Sequence, residues 1–273
     1  MRDKIIEDTK DLLTYQNISC KLETKIMGNN IVYFNTIDST NNYAKKIALQ
    51  ELEGTIIVSE EQTNGKGRIG RKWHSKSKEG IWMSIILKPD IIPQKAPFIT
   101  LIAGASIVKA LNKLDVETFI KWPNDITINN KKVAGILTEL STEVDKINYI
   151  VLGIGINTKT MKFSQEISEI ATSLYKEGYK IPRIDIIINI LREFEELYLK
   201  YINKNSKKDT LDICRKYSAI IGKDVHLIKG EDKELVRCLD MNKEGNLIVR
   251  TEDNIIKEII SGEISIRGVK GYV

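Results

Sequence analysis

Residues 65–73 read GKGRIGRKW, in which three glycines alternate with Lys66, Arg68, Arg71 and Lys72 directly after a strand-like run. Glycines let backbone amides come close to an anion and the cations neutralise it, so this stretch could clamp a phosphate or a carboxylate. Gly65, Gly67 and Gly70 also satisfy GxGxxG, but that dinucleotide fingerprint must open a helix and be followed by an acidic residue about 20 positions on. Here Trp73, His74, Ser75 and Lys76 lead into another polar loop and then a strand. A P-loop is excluded, because neither Gly65-Lys66 nor Gly222-Lys223 continues into Ser or Thr with the required glycine upstream. A solvated basic turn remains the bland alternative.

Other clusters could act with this loop. In Lys121-Trp122-Pro123-Asn124-Asp125, Pro123 disfavours helix at Trp122, so Lys121 and the Asn124-Asp125 pair are presented at a strand junction. The lysine can meet phosphate, and the oxygens of Asn124 and Asp125 suit magnesium or nucleotide hydroxyls; a turn holding a salt bridge is the plainer reading. Asp38-Ser39-Thr40-Asn41 precedes a helical pattern and serves as an N-cap, while its hydroxyls and amide could also bind a polar ligand. Gly135, Gly153 and Gly155 fall inside apolar strands, where glycine is unfavourable unless something must approach the backbone. Only His74 and His226 are available as histidines, and Cys20, Cys214 and Cys238 form no CxxC pair. Zinc, a disulfide framework and Ser-His-Asp chemistry are therefore disfavoured, and a reducing cytoplasm fits best.

The elements that must position these residues follow from periodicity. With 273 residues, 42% hydrophobic and 29% charged, the chain can bury a sizeable core, and its net +5 is spread along the length. A short amphipathic helix is expected over Lys4–Tyr15, then a polar linker to Gly28-Asn29-Asn30. IVYF, GTIIVSEE, IWMSIIL, ETFIKW, DITINN, KVAGILTEL and NYIVLGIGIN read as strands; NNYAKKIALQEL, PFITLIAGASIVKALNKL and Pro182–Tyr201 read as helices. After Tyr217 four short strands suggest a small barrel. The expected units are an N-terminal helix and linker (1–30), a large α/β (α+β) domain (31–218) and the barrel (219–273). No apolar run is long enough for export or membrane insertion.

Taken together and in order, GKGRIGRKW, DSTN (Asp38–Asn41), KWPND (Lys121–Asp125), KxAGIL (Lys132–Leu137), GxGxN (Gly153–Asn157) and GEISxRG (Gly262–Gly268) resemble the biotin–protein ligase family. The resemblance implies a mixed sheet with helices like that of class II aminoacyl-tRNA synthetases, followed by an SH3-like barrel. It implies ATP, magnesium and biotin, a biotinyl-AMP intermediate, and transfer to a lysine of a biotin carboxyl carrier protein domain of a carboxylase. Catalytic work falls by resemblance on Arg68, Lys121 and Lys132. Biotin binding falls on Ser39, Thr40, Asn41, Gln62, Lys66, Gly67, Arg68, Lys132 and Gly135; ATP binding on Arg68, Arg71, Lys121, Asn124, Asp125, Asn157 and Arg267; magnesium on Asp125. Lys66 departs from the family's usual arginine, and a lysine cannot clamp bidentately. Residues 159–172 correspond to an adenine-covering loop. Only 37 residues precede Asp38, too few for the winged DNA-binding module of the repressor members, so no DNA binding and no membrane association are expected, and a homodimer is left open. A lipoate or other acyl-acid ligase on the same fold, and a nucleic-acid-binding protein, are the alternatives.

Overall fold

A computed structural model describes residues 11–262, 264–269 and 271–273. Most of the helix expected over Lys4–Tyr15 lies outside these residues. Residues 11–14 of it are not helical: Asp11 is drawn to Arg183 and the Leu13 amide donates to Glu60 Oε1 at 2.9 Å, and the helix α1 (Tyr15–Ser19) starts only after the Thr14 cap.

The large sheet contains β1 (Ile31–Ile37), β2 (Ile56–Gln62), β3 (Gly80–Leu87), β4 (Phe119–Lys121), β5 (Asp125–Ile128), β6 (Lys131–Glu143) and β7 (Lys146–Asn157), in the order β1-β2-β3-β7-β6-β5-β4. Only β1 and β2 run parallel; the other neighbours are antiparallel, which makes the sheet mixed. The helix α2 (Thr40–Ile47) covers one face through Ala44 and Ala48. It stops short of the expected Leu52 because Leu49 and Leu52 point to solvent and have no core to join. The helices α3 (Pro97–Asn112) and α4 (Arg183–Lys204) cover the other face. At Gly104 a Cβ would make only ordinary van der Waals contact, 3.8 Å from Ile136 and 3.9 Å from Ile120, so α3 packs directly on β4 and β6. A further helix, α5 (Lys208–Lys216), was not expected; only Thr210, Leu211 and Cys214 are buried in it, too few to show a stripe.

The strands β8 (Asp224–Lys229), β9 (Asp232–Met241), β10 (Leu247–Thr251), β11 (Ile256–Ile259) and β12 (Ser265–Gly268) form an antiparallel sheet in the order β11-β10-β9-β8-β12. The charged, largely exposed β11 escaped the apolar pattern. This second sheet shares the main core, and Trp122 Nε1 donates to Gly245 O at 3.0 Å, docking its β9–β10 turn beside β4. No described helix is long and apolar enough to cross a membrane.

One buried ion cluster ties the chain's early segment to the sheet. Arg183, 1% exposed, donates to Glu60 Oε2 at 2.7 Å, to Gly80 O at 3.0 Å and to Asp11 Oδ2 at 3.0 Å. Burial would raise the Asp11 carboxyl, yet Lys159 and Arg183 hold it below the usual carboxylate range. Removing one member of such a cluster leaves a buried charge unpaired, so Arg183→Met is expected to destabilise the fold by about 3–5 kcal/mol in urea titration. A loss under about 1 kcal/mol would mean that the cluster does not anchor the segment.

Candidate active site

The loop after β2 folds back on itself. Gly67 N donates to Arg71 O at 2.7 Å and Trp73 N to Gly65 O at 2.9 Å, with Ile69 and Gly70 at positive φ at the tip. At Gly65 a Cβ would lie 2.4 Å from Trp73 O, so glycine is required there for the two arms to meet. No helix starts in the loop, which removes the dinucleotide reading structurally. Lys66 and Arg71 stand exposed on its arms, while Arg68 turns inward. Its guanidinium donates to Asn124 Oδ1 at 2.8 Å and to the carbonyls of Gly262 and Ile264 beside β12, so one side chain bridges loop, sheet and second sheet. Burial lowers its pKa.

Beneath the loop lies a narrow cleft. Ser39 caps α2, accepting from Asn42 N at 3.4 Å, and α2 thereby presents Thr40 and Asn41 to the cleft. Gln62 Oε1 accepts from Thr40 N at 2.8 Å and Thr40 Oγ1 at 3.1 Å; its amide donates to Ser75 Oγ at 2.8 Å. Ser84 Oγ lies 2.8 Å from Thr40 Oγ1 and 2.6 Å from Asn41 Oδ1, and Asn41 donates to Glu139, which Lys45 pairs at 2.6 Å. Sequence reading missed Ser84, Ser75 and Glu139; a lone serine inside the apolar IWMSIIL run was the available signal. The strand glycines do serve close approach. A Cβ at Gly153 would sit 2.3 Å from Asn41 Oδ1, one at Gly155 2.5 Å from Trp73 Nε1 and one at Gly135 2.9 Å from the Trp73 ring. Gly155 and Gly135 thus make room for the indole of Trp73, whose buried Nε1 has no hydrogen-bond partner among the described residues.

Lys132, Arg68, Gly67, Trp73 and Asn124 also line a second, larger cleft, so the two meet there. Its walls carry Arg71, Lys121, Asp125, Asn157 and Arg267. Lys121 ends β4 opposite Asp125, which begins β5, with a cis Trp122–Pro123 bond in the intervening turn. Asp125 pairs with Lys132 at 2.5 Å and accepts the hydroxyl of Tyr272, a residue sequence reading did not single out. Burial would raise the Asp125 carboxyl, but Lys132 and the Tyr272 hydroxyl hold it low. Lys121 is 2% exposed, its Nζ has no hydrogen-bond partner among the described residues, and it lies 3.2 Å from the Tyr272 ring centroid. Burial, then the charges of Arg267, Lys132 and Arg71, bring it down to about 7, against the opposing pull of Asp125. Asn157 donates to Thr172 O at 3.1 Å, and Lys132 N to Ile170 O at 2.8 Å, fastening the 158–172 segment along the cleft.

Asp125 stands as a single carboxylate, its Oδ1 ion-paired with Lys132 and its Oδ2 accepting from Tyr272, and among the described residues no group of three or more His, Cys, Asp or Glu is gathered that could hold a metal by itself. What the site offers is a small polar slot opening onto a cation-rich cleft, where fixed positive charge can hold two anionic groups together.

The biotin/lipoate A/B protein ligase family model matches residues 33–157, and the biotin protein ligase C terminal domain model residues 220–267. The chain is 38% identical over 259 residues to the bifunctional ligase/repressor BirA of Bacillus spizizenii, covering 93% of this chain and 79% of that protein. It is 28% identical over 245 residues to the BirA of Escherichia coli, covering 89% and 76%. The structure superposes on the biotin protein ligase from Aquifex aeolicus in complex with biotin and ATP with a TM-score of 0.77 at 31% identity, covering 88% of this chain and 99% of that one.

The glycine strip generates a direct test. Gly155→Ala should force the Trp73 indole off β7 and red-shift the tryptophan emission, with no such shift when the same change is made in a Trp73→Phe background. Identical emission from Gly155→Ala and the unaltered protein would contradict this packing.

Proposed function

The chain belongs to the biotin protein ligase family, and we propose that it joins biotin to ATP as biotinyl-AMP and then passes the biotin to a lysine of a biotin carboxyl carrier protein domain. The observation that carries this reading is the shared wall of the two clefts. Lys132 and Arg68 stand where a carboxylate in the slot and a phosphate in the cationic cleft would meet. A carboxylate oxygen attacks the α-phosphorus, the bond to the bridging oxygen breaks, and pyrophosphate leaves. No protein nucleophile is needed, so the work is positioning and charge neutralisation. In the second step the carrier lysine's free amine attacks the acyl carbon, the acyl C–O bond to AMP breaks, AMP leaves and the amine's surplus proton passes to water.

Residue by residue, Ser39, Thr40, Asn41 and Gln62 supply donors and acceptors suited to a ureido group, with Gly135, Gly67 and Lys66 on the slot's walls. Lys132, held by Asp125, neutralises the carboxylate and then the adenylate linkage. Lys121, Arg71 and Arg267 take the phosphates, Asn124 orients Arg68, and Asn157 meets the nucleotide at the root of the 158–172 segment. Magnesium would arrive on the triphosphate, since a small hard cation keeps waters and phosphate oxygens as ligands. The catalytic work is assigned to residues 31–218, with Arg267 contributed by 219–273, in the cytoplasm.

The test is exchange of labelled pyrophosphate into ATP. Exchange that depends on biotin supports the reading; exchange with lipoate and none with biotin would overturn it. A pH effect follows from Lys121. Its ammonium is disfavoured by burial, phosphate favours it, so nucleotide binding draws a proton in and weakens as pH rises through about 7. Calorimetry of ATP binding at about pH 8 in buffers of different ionisation enthalpy should show proton uptake that Lys121→Met removes. Equal uptake in both proteins would sink the assignment.

A further inference from the structure

Tyr272 lies beyond the last strand, where no motif marks it. The chain after β12 turns back: Gly268 bridges Gly271, and Gly268 N donates to Tyr272 O at 3.3 Å. A Cβ at Gly268 would stand 2.2 Å from the Val273 carbonyl carbon, and Gly271 has φ +134°, so the turn is built from glycine. It places a side chain only 5% exposed into the wall of the cationic cleft.

That one side chain touches three of the cleft's charged groups. Its ring lies 3.2 Å from Lys121 Nζ and 5.0 Å from the Arg267 guanidinium, and its hydroxyl donates to Asp125. The negative face of an aromatic ring attracts cations, and does so more strongly when they are desolvated. Lys121 Nζ, with no hydrogen-bond partner among the described residues, has the ring as its close neighbour. The hydroxyl acts elsewhere: by occupying one oxygen of Asp125 it leaves the other for Lys132 at 2.5 Å.

We propose that Tyr272 is a positioning residue of the nucleotide cleft, whose ring sets Lys121 and Arg267 for the triphosphate and whose hydroxyl holds Asp125 on Lys132. This rests on reading the cleft as the ATP site, and the two halves of the side chain can be separated by substitution. Tyr272→Phe keeps the ring and loses the hydroxyl; Tyr272→Leu loses both.

The experiment measures KM for ATP, KM for biotin and kcat in biotin-dependent pyrophosphate exchange, with the thermal midpoint of each variant. Tyr272→Leu should raise KM for ATP by roughly tenfold, the scale of a desolvated cation–ring contact, and leave KM for biotin within about twofold. Tyr272→Phe should restore KM for ATP to within about twofold of the unaltered protein yet lower kcat several-fold, because Asp125 no longer holds Lys132 in one orientation. A filler role would move the thermal midpoint and both KM values together, with no rescue by Phe, and that result overturns the proposal. Direct ATP titration by calorimetry gives the same ranking without relying on biotin. Should the unaltered protein exchange with another acid but keep that ranking, the positioning role stands and the choice of biotin falls.

Discussion

Mutual repulsion of two anions is the constraint around which this molecule is built. A carboxylate does not approach a triphosphate unless fixed positive charge is already in place, and cations packed together in a low-dielectric cleft repel one another in turn. The structure resolves this conflict with one carboxylate and one ring. Asp125 holds Lys132, while Lys121, buried with no hydrogen-bond partner among the described residues, is kept against Tyr272 and titrates near neutrality. Such a group waits for an anion.

The second sheet matters for the same reason. Arg68 reaches from the β2–β3 loop to carbonyls beside β12, while Arg267, on the edge strand β12, and Tyr272, just past it, line the cleft. Docking through Trp122 and Gly245 fixes the distance between the two sheets. The slot beneath the loop is held differently, by a chain of hydrogen bonds from Gln62 through Thr40 and Ser84 to Asn41 and Glu139. A satisfied buried network of this kind holds its donors and acceptors in one arrangement. Gly153 and Gly155 leave the space that Asn41 and Trp73 occupy.

Much of this was legible in the sequence because local chemistry and global fold agree. Apolar runs gave the seven strands of the large sheet, Pro97 and the stripe after Pro182 gave the two long helices, and Ser39 marked the start of α2. The residues singled out around GKGRIGRKW and KWPND fall in two adjoining clefts. What escaped has physical causes. The helix α5 and strand β11 bury too little to show a period, and residues 11–14 follow the Asp11–Arg183 ion pair and the Leu13–Glu60 hydrogen bond instead of helical spacing. Tyr272, Ser84 and Glu139 act through tertiary contacts that no spacing encodes, and what the strand glycines admit is the protein's own Asn41 at Gly153 and Trp73 at Gly155 and Gly135.

The central claim is that the junction at Lys132 and Arg68 makes and keeps a mixed anhydride. Native mass spectrometry of the protein after incubation with biotin and ATP tests it most directly. The account predicts a bound species with the mass of biotinyl-AMP that disappears when either biotin or ATP is left out. A protein that carries ATP or biotin singly but never the joined adenylate would contradict it.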